Sequence, residues 1–244
     1  MLRRPGVLEL LEQAAAQGAE HIGGLDPMLI DHDPVGQLDG LFSIVAEHGC
    51  GLDLHLHEPG ELGASEFDLI LDRVERDGVG PGRVNIAHGF AMVEVDPARR
   101  RDLLQRMAGL GVTMTTVAPL RMAQLPLHEF DDAGVRFGFG TDGIRDLWGP
   151  YGDGDVLSIA WQYGRAGGVV RDEDLTRVVE IATRDGAAFV TEETHDLAPG
   201  ARADIVLVDA ENPMDALVRR VPRSLVVAGG RVFRHSELEQ HPWE

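Results

Sequence analysis

Apolar residues recur at i, i+3, i+4 and i+7 in several stretches of this chain, the spacing that lines one face of an α-helix. Val7, Leu10, Leu11 and Ala14 form one stripe, closed by Gly18, and Leu38, Leu41, Phe42 and Val45 form a second, closed by Gly49. A glycine just past a helix suits the left-handed cap conformation. Phe67, Ile70, Leu71 and Val74 form a third stripe, and Leu175, Val178, Val179 and Ala182 a fourth, with Asp172 as its predicted N-cap. A fifth helix is predicted to start at Asp96-Pro97, a cap residue followed by proline at the first helical position, and to run through Leu103 and Met107. Between the stripes lie runs that suit strands: Glu20 to Leu25, Gly51 to His57, Arg83 to His88, Val112 to Val117 and Val135 to Thr141. This alternation predicts an α/β fold of parallel strands with helical crossovers, either a barrel or a doubly wound sheet. Near residue 192 the character changes. Leu197 to Arg202 is turn-rich, and two β runs, Asp204 to Asp209 and Ser224 to Phe233, follow with no long helix between them. The predicted organisation is an α/β part over 1–192, a small β annex over 193–234 and a polar tail over 235–244.

Composition narrows the chemistry. The 244 residues are 43% hydrophobic, enough for a real core, and no apolar run reaches the roughly 18 residues of a membrane span. The opening Met-Leu-Arg-Arg-Pro-Gly leads directly into a charged amphipathic pattern without a signal-peptide core, so a cytoplasmic location is expected. With 22 basic against 41 acidic side chains the formal charge is -19, which argues against a nucleic-acid partner. All the basic residues are Arg. The absence of Lys removes P-loop, Schiff-base and pyridoxal-phosphate chemistry, and any carbamylated-lysine bridge between metals. Cys50 is the sole cysteine and is expected to be a buried structural thiol, so the ligands of any metal must be His and carboxylate.

The densest polar cluster is Asp53-Leu-His55-Leu-His57-Glu58, where period-2 alternation puts Asp53, His55 and His57 on the face opposite Leu52, Leu54 and Leu56. In a parallel barrel, active sites lie at the C-terminal ends of strands. Two other predicted strands finish in ligand-capable residues at that point, one in Ala87-His88-Gly89 and one in Gly140-Thr141-Asp142. His, His and Asp at successive strand ends make a metal-site constellation. The segment Gly138 to Gly143 also spells G-x-G-x-x-G, but the dinucleotide fingerprint must open a helix, and Ile144 to Gly154 is loop-like and rich in Gly and Pro. A nucleotide cofactor is therefore not expected.

At these residues the sequence resembles the amidohydrolase superfamily, and most closely its cytosine deaminase branch, over nearly the whole chain. The carriers are Ile22 to Pro27, Asp53 to Glu58, Ala87 to Met92, Phe139 to Asp142 with Asp146 to Trp148, and Pro199 to Asp209 in the annex. A dihydroorotase-like register, with His55-Leu-His57 on a first strand, competes. A barrel of about 250 residues has eight units of about 30 residues each. His55 and His88 lie 33 residues apart and His88 and Asp142 54 apart, which fits strands five, six and eight and makes Glu20 to Leu25 strand four. The expected fold is thus a partial TIM-type (β/α) barrel of about strands 4 to 8, plus part of a small β-sandwich. The family's first-strand His-x-His falls outside it.

The resemblance implies a metal-dependent hydrolase, with hydrolytic deamination of an N-heterocycle such as a cytosine, isocytosine or pterin. It implies one divalent ion, zinc or iron, held by His55 and Asp142. Asp142 also activates the attacking water, His88 hydrogen-bonds that water or the substrate, and Glu58 shuttles protons. His57 and Trp148 are expected to contact the ring. Thr141 and Gly143 depart from the His and second Asp of cytosine deaminases. Cyclic-amide hydrolysis is the alternative chemistry, and an inactive truncated remnant the non-enzymatic one. The partner expected is a small heterocyclic molecule, with neither nucleic acid nor membrane. The open edges of strands four and eight invite a homo-oligomer or a complementing N-terminal half.

Overall fold

A computed structural model of the chain describes residues 2–190 and 195–234. It divides into two compact units, Met1–Thr116 with Ala123–Phe137 and Val117–Met122 with Gly138–Glu244. No helix among the described residues is long and apolar enough to cross a membrane.

The first unit alternates helix and strand: α1 (Val7–Ala16), β1 (His21–Leu25), α2 (Pro34–His48), β2 (Gly51–Leu56), α3 (Gly60–Asp77), β3 (Val84–His88), α4 (Ala91–Glu94), α5 (Pro97–Leu110), β4 (Thr113–Thr116) and α6 (Leu127–Ala133). Its last residue, Phe137, opens β5 (Phe137–Phe139). The sheet runs in the order β1-β2-β3-β4-β5, and β1 to β4 pair in parallel. The chain is therefore a mixed α/β protein with a parallel sheet. Register sets Leu25 opposite His55 and Leu56 opposite His88, so the strands end level with one another.

Local signals explain the helix ends. Asp96 accepts hydrogen bonds from the Ala98 and Arg99 N–H groups ahead of Pro97, and Gly49, Gly78 and Gly111 close α2, α3 and α5 in the left-handed conformation. Leu52, Leu54 and Leu56 of β2 are buried, as are Phe67, Ile70, Leu71 and Val74 of α3 and Leu103, Leu104 and Met107 of α5. Each fully buried large apolar side chain contributes roughly 1.5–3 kcal/mol. Gly24 allows close packing, since a Cβ there would fall 2.6 Å from Leu54 and 2.7 Å from Leu41 of α2. Cys50 is buried with a free thiol.

The second unit contains α7 (Val156–Ala166), α8 (Asp172–Glu180) continued by a π-helical turn (Ile181–Asp185), β6 (Ile205–Val208), α9 (Pro213–Arg219), β7 (Arg223–Ala228) and β8 (Arg231–Arg234). Asp172 is the first residue of α8 and Arg171 is the cap, a correction of one position; an acid there still complements the helix dipole. The Ser224 to Phe233 run is a hairpin turned at Gly229-Gly230, and β6-β7-β8 form an antiparallel sheet. The guanidinium groups of Arg165 and Arg220 each lie over the Trp161 ring, 5.1 and 4.9 Å from its centre. Between β5 and α7 the chain contains no helix or strand. The predicted tail over 235–244 lies outside the described residues.

Candidate metal and catalytic site

Three of the residues singled out in the sequence meet in the first unit, His55, His57 and His88, and Glu58 follows His57 directly in the chain. His55 lies half-buried on β2 between the buried Leu54 and Leu56. The strand ends at Leu56, one residue earlier than predicted, and His57 is the first residue beyond it. His88 ends β3 and is buried. The three imidazoles converge, with His88 Nε2 3.0 Å from His55 Nδ1 and the His57 and His88 ring centres 4.2 Å apart. Phe90 packs beside His57 and His88.

His57 is oriented by Asp26, a residue to which the sequence reading gave no role. Asp26 Oδ1 accepts the His57 backbone N–H at 2.7 Å, and Oδ2 lies 2.9 Å from Nδ1. A carboxylate only accepts, so Nδ1 carries the hydrogen and Nε2 is left as the basic nitrogen. Carboxylates hold metal-binding imidazoles in the same manner.

Glu58 is fully buried in the segment leaving β2, and its Oε1 accepts the N–H groups of Met28 at 3.2 Å and Leu29 at 3.1 Å. Gly63 lets α3 close over this segment, since a Cβ there would fall 2.1 Å from the Glu58 carbonyl oxygen. The Met28 N–H is shared with Oε1 of Glu66, at 2.8 Å. Burial and the neighbouring Glu58 carboxyl push Glu66 up to about 9. Glu66 was also missed in the sequence, although its signal is plain there: an acid on the apolar stripe of α3, beside Phe67.

Several residues at or just past strand ends hold left-handed backbone: Asp26 (φ 38), His88 (φ 69), Ala118 (φ 50) and Asp142 (φ 54). Each costs about 1–3 kcal/mol, and such strain gathers at functional sites. Asp142 follows β5 and is exposed. Trp148 lies on the loop that follows, its backbone N–H held by Asp146 Oδ1 at 2.8 Å and its side chain 97% exposed. Asp142 and Trp148 both belong to the second unit.

The donor set suits a metal. His55, His57 and His88 each offer a ring nitrogen, and the three lie within 4.8 Å of one another. Two nitrogens at about 2.0–2.1 Å from one zinc ion stand roughly 3.3 Å apart, close to the His55 to His88 separation. Imidazole suits zinc or iron.

Comparisons with known proteins agree on the family. The amidohydrolase family model matches residues 5–233. The crystal structure of N-isopropylammelide isopropylaminohydrolase from Burkholderia multivorans superposes with a TM-score of 0.91 at 42% identity, covering 95% of this chain and 59% of that one. N-isopropylammelide isopropyl amidohydrolase from Pseudomonas sp. (strain ADP) is 24% identical over 230 residues, 94% of this chain and 57% of that protein. The fold of 5-methylcytosine deaminase from Klebsiella pneumoniae is also similar, with a TM-score of 0.83 at 22% identity over 96% of this chain and 60% of that one. The chain spans between about half and three fifths of the length of the relatives it matches. A family model that spans nearly the whole chain, and a site of strand-end histidines with a buried glutamate beside them, lead to one conclusion: the chain belongs to the amidohydrolase family.

Proposed function

We propose that the protein is a metal-dependent hydrolase that removes an amine from an N-heterocycle. In this reading β1 to β5 stand for strands four to eight of a (β/α) barrel, residues 1–192 form the barrel portion and 193–234 a part of the accessory β-sandwich. The observation that carries it is the convergence of His55, His57 and His88 beside the buried Glu58. The 42% identity to a Burkholderia enzyme named as an isopropylaminohydrolase supports a ring-bound amine as the leaving group. Cytosine, isocytosine and pterin amines belong to the same substrate class. A cytoplasmic location accompanies this reading.

His55 and Asp142 would hold one zinc or iron ion, whose Lewis acidity lowers the pKa of water from 15.7 toward about 7. Asp142 accepts one proton of the attacking water, and Glu58 carries the other to the ring nitrogen, where it stays, so that the ring carbon can be attacked. His88 donates a hydrogen bond to water or substrate. Collapse expels the amine once Asp142 has passed its proton to it, leaving both carboxylates as they began, which is general acid and base catalysis. His57 and Trp148 border the ring.

One observation keeps a second chemistry in view: His55-Leu-His57 brings two imidazoles into the cluster from consecutive same-face positions, as a His-x-His pair does in cyclic-amide hydrolases. The deciding assay loads the 244-residue protein with Zn(II) or Fe(II) and offers cytosine, isocytosine, a pterin, an N-alkylamino triazine and a cyclic amide. Release of ammonia or alkylamine supports deamination. Ring opening of the cyclic amide without amine release supports the alternative, and inactivity of the loaded protein identifies a non-catalytic remnant.

A further inference from the structure

Helix α3 opens without a cap of its own. Pro59, the residue before it, offers no side-chain acceptor to the first turn, although the leading N–H groups of a helix find no partner within it. An acceptor comes from the segment that leaves β3: Oε2 of Glu94, the last residue of α4, accepts the N–H of Gly60, the first residue of α3, at 2.6 Å and across 34 residues of chain. The helix dipole favours a carboxylate at this end, and a charged acceptor makes the stronger kind of hydrogen bond. Glu94 is exposed, yet among the described residues no arginine pairs with it, so its carboxylate serves the Gly60 N–H.

The two segments joined in this way carry the candidate site. Gly60 closes the one that holds His57 and Glu58, and Glu94 closes the one that begins at His88. At their start the segments are tied by the backbone, since the Gly89 N–H donates to the Leu56 carbonyl at 3.0 Å. Asp26, Met28 and Leu29 hold His57 and Glu58 from the β1 side. The far end is where α3 begins, and its first turn is wedged there: a Cβ on Gly63 would fall 2.1 Å from the Glu58 carbonyl oxygen and 2.7 Å from the Ala91 Cβ. We propose that Glu94 is a positioning residue: by capping α3 from the neighbouring segment it closes both segments into one frame and fixes where His57 and Glu58 stand relative to His88. It acts through the Gly60 N–H and not through a bond to any of these three side chains. The value of the frame to catalysis rests on the deaminase reading, but the frame itself does not.

Asp96 supplies the control. It caps α5 through the Ala98 and Arg99 N–H groups, so Asp96→Ala removes a helix cap of the same kind without opening the frame. Nuclear magnetic resonance of the whole chain reads the frame directly. Glu94→Ala should speed hydrogen exchange at the Gly60 N–H by about 10-fold or more and move the ring C–H signals of His57 and His88, whereas Asp96→Ala should leave all three unchanged. Ring signals that stay in place in a folded Glu94→Ala, or that move as far in Asp96→Ala, overturn the positioning role whether or not the protein turns over any substrate. Kinetics then test the benefit, with thermal melts establishing that each variant is folded. Glu94→Ala should lower kcat/KM for amine release about 10-fold, the effect of a misaligned catalytic group. Glu94→Gln keeps an oxygen acceptor at the same place and should stay within about threefold of the unmodified protein, as should Asp96→Ala. Equal losses in Glu94→Ala and Asp96→Ala would reduce Glu94 to an ordinary cap and overturn the proposal. Absence of amine release from the unmodified protein would overturn the deaminase reading and leave the resonance test to decide the frame.

Discussion

The two sheets of this protein bury their apolar residues to very different degrees. In the parallel sheet Leu52, Leu54 and Leu56 are at most 1% exposed, and helices α2, α3 and α5 supply further buried side chains. In the antiparallel sheet Val206, Leu207 and Val232 remain more than half exposed. The first sheet derives its stability from its own unit and can support strained backbone at His88 and Asp26. The second buries less of its apolar surface, and α9 beside it in sequence carries local contacts, Asn212 with the Asp215 N–H and Arg219 with Asp215. Exposed pairs of that kind are worth about 0–1 kcal/mol.

Four experiments would break or sharpen this contrast. The largest effect is expected at α3, where Phe67→Ala should cost about 3–5 kcal/mol in urea unfolding; a loss below about 1 kcal/mol would erase the difference between the units. Next comes the site itself. Asp26→Ala should raise KM for the heterocycle about 10-fold in an amine-release assay, because His57, which borders the ring, loses the carboxylate that orients it. An unchanged KM would exclude His57 from the ring's surroundings.

The third effect concerns pH. The pKa of Glu66 is raised in the folded protein from 4.5 to about 9, so the folded state binds more protons than the unfolded state between those values. Its contribution to stability is therefore fully present below about pH 4.5 and is lost as pH rises toward 9. The melting temperature of Glu66→Gln should fall less steeply over that window than that of the unmodified protein, and parallel curves would contradict the shift. The smallest effect is expected in the antiparallel sheet, where Val206→Thr should change stability by no more than about 0.5 kcal/mol. A much larger loss would reveal that this face is covered in solution.

Much of the first unit was legible in the sequence because its signals are local. The period-2 leucines of β2, the Asp96-Pro97 start of α5 and the glycine at the end of α2 each act within a few residues. Helices α4, α6 and α7 were not anticipated. The first two are short, and α7 buries Ala160 and Gly164 beside Tyr163, small residues that carry little hydrophobic signal. The histidine cluster could be anticipated from strand-end positions alone. Its supports could not, since Asp26 reaches His57 across 31 residues of chain, and the Met28 N–H meets Glu58 and Glu66 from 30 and 38 residues away.

Asp26, Met28 and Leu29 lie within four consecutive residues, yet between them they secure His57, Glu58 and Glu66. These three side chains thus share a single mechanical anchor. A ligand that draws on His57 pulls on the same stretch of backbone that holds Glu58, so the imidazole and the carboxylate are energetically coupled without touching. Substitutions at Asp26 and Glu66 should accordingly be non-additive, and their interaction energy measures the stiffness of that short loop.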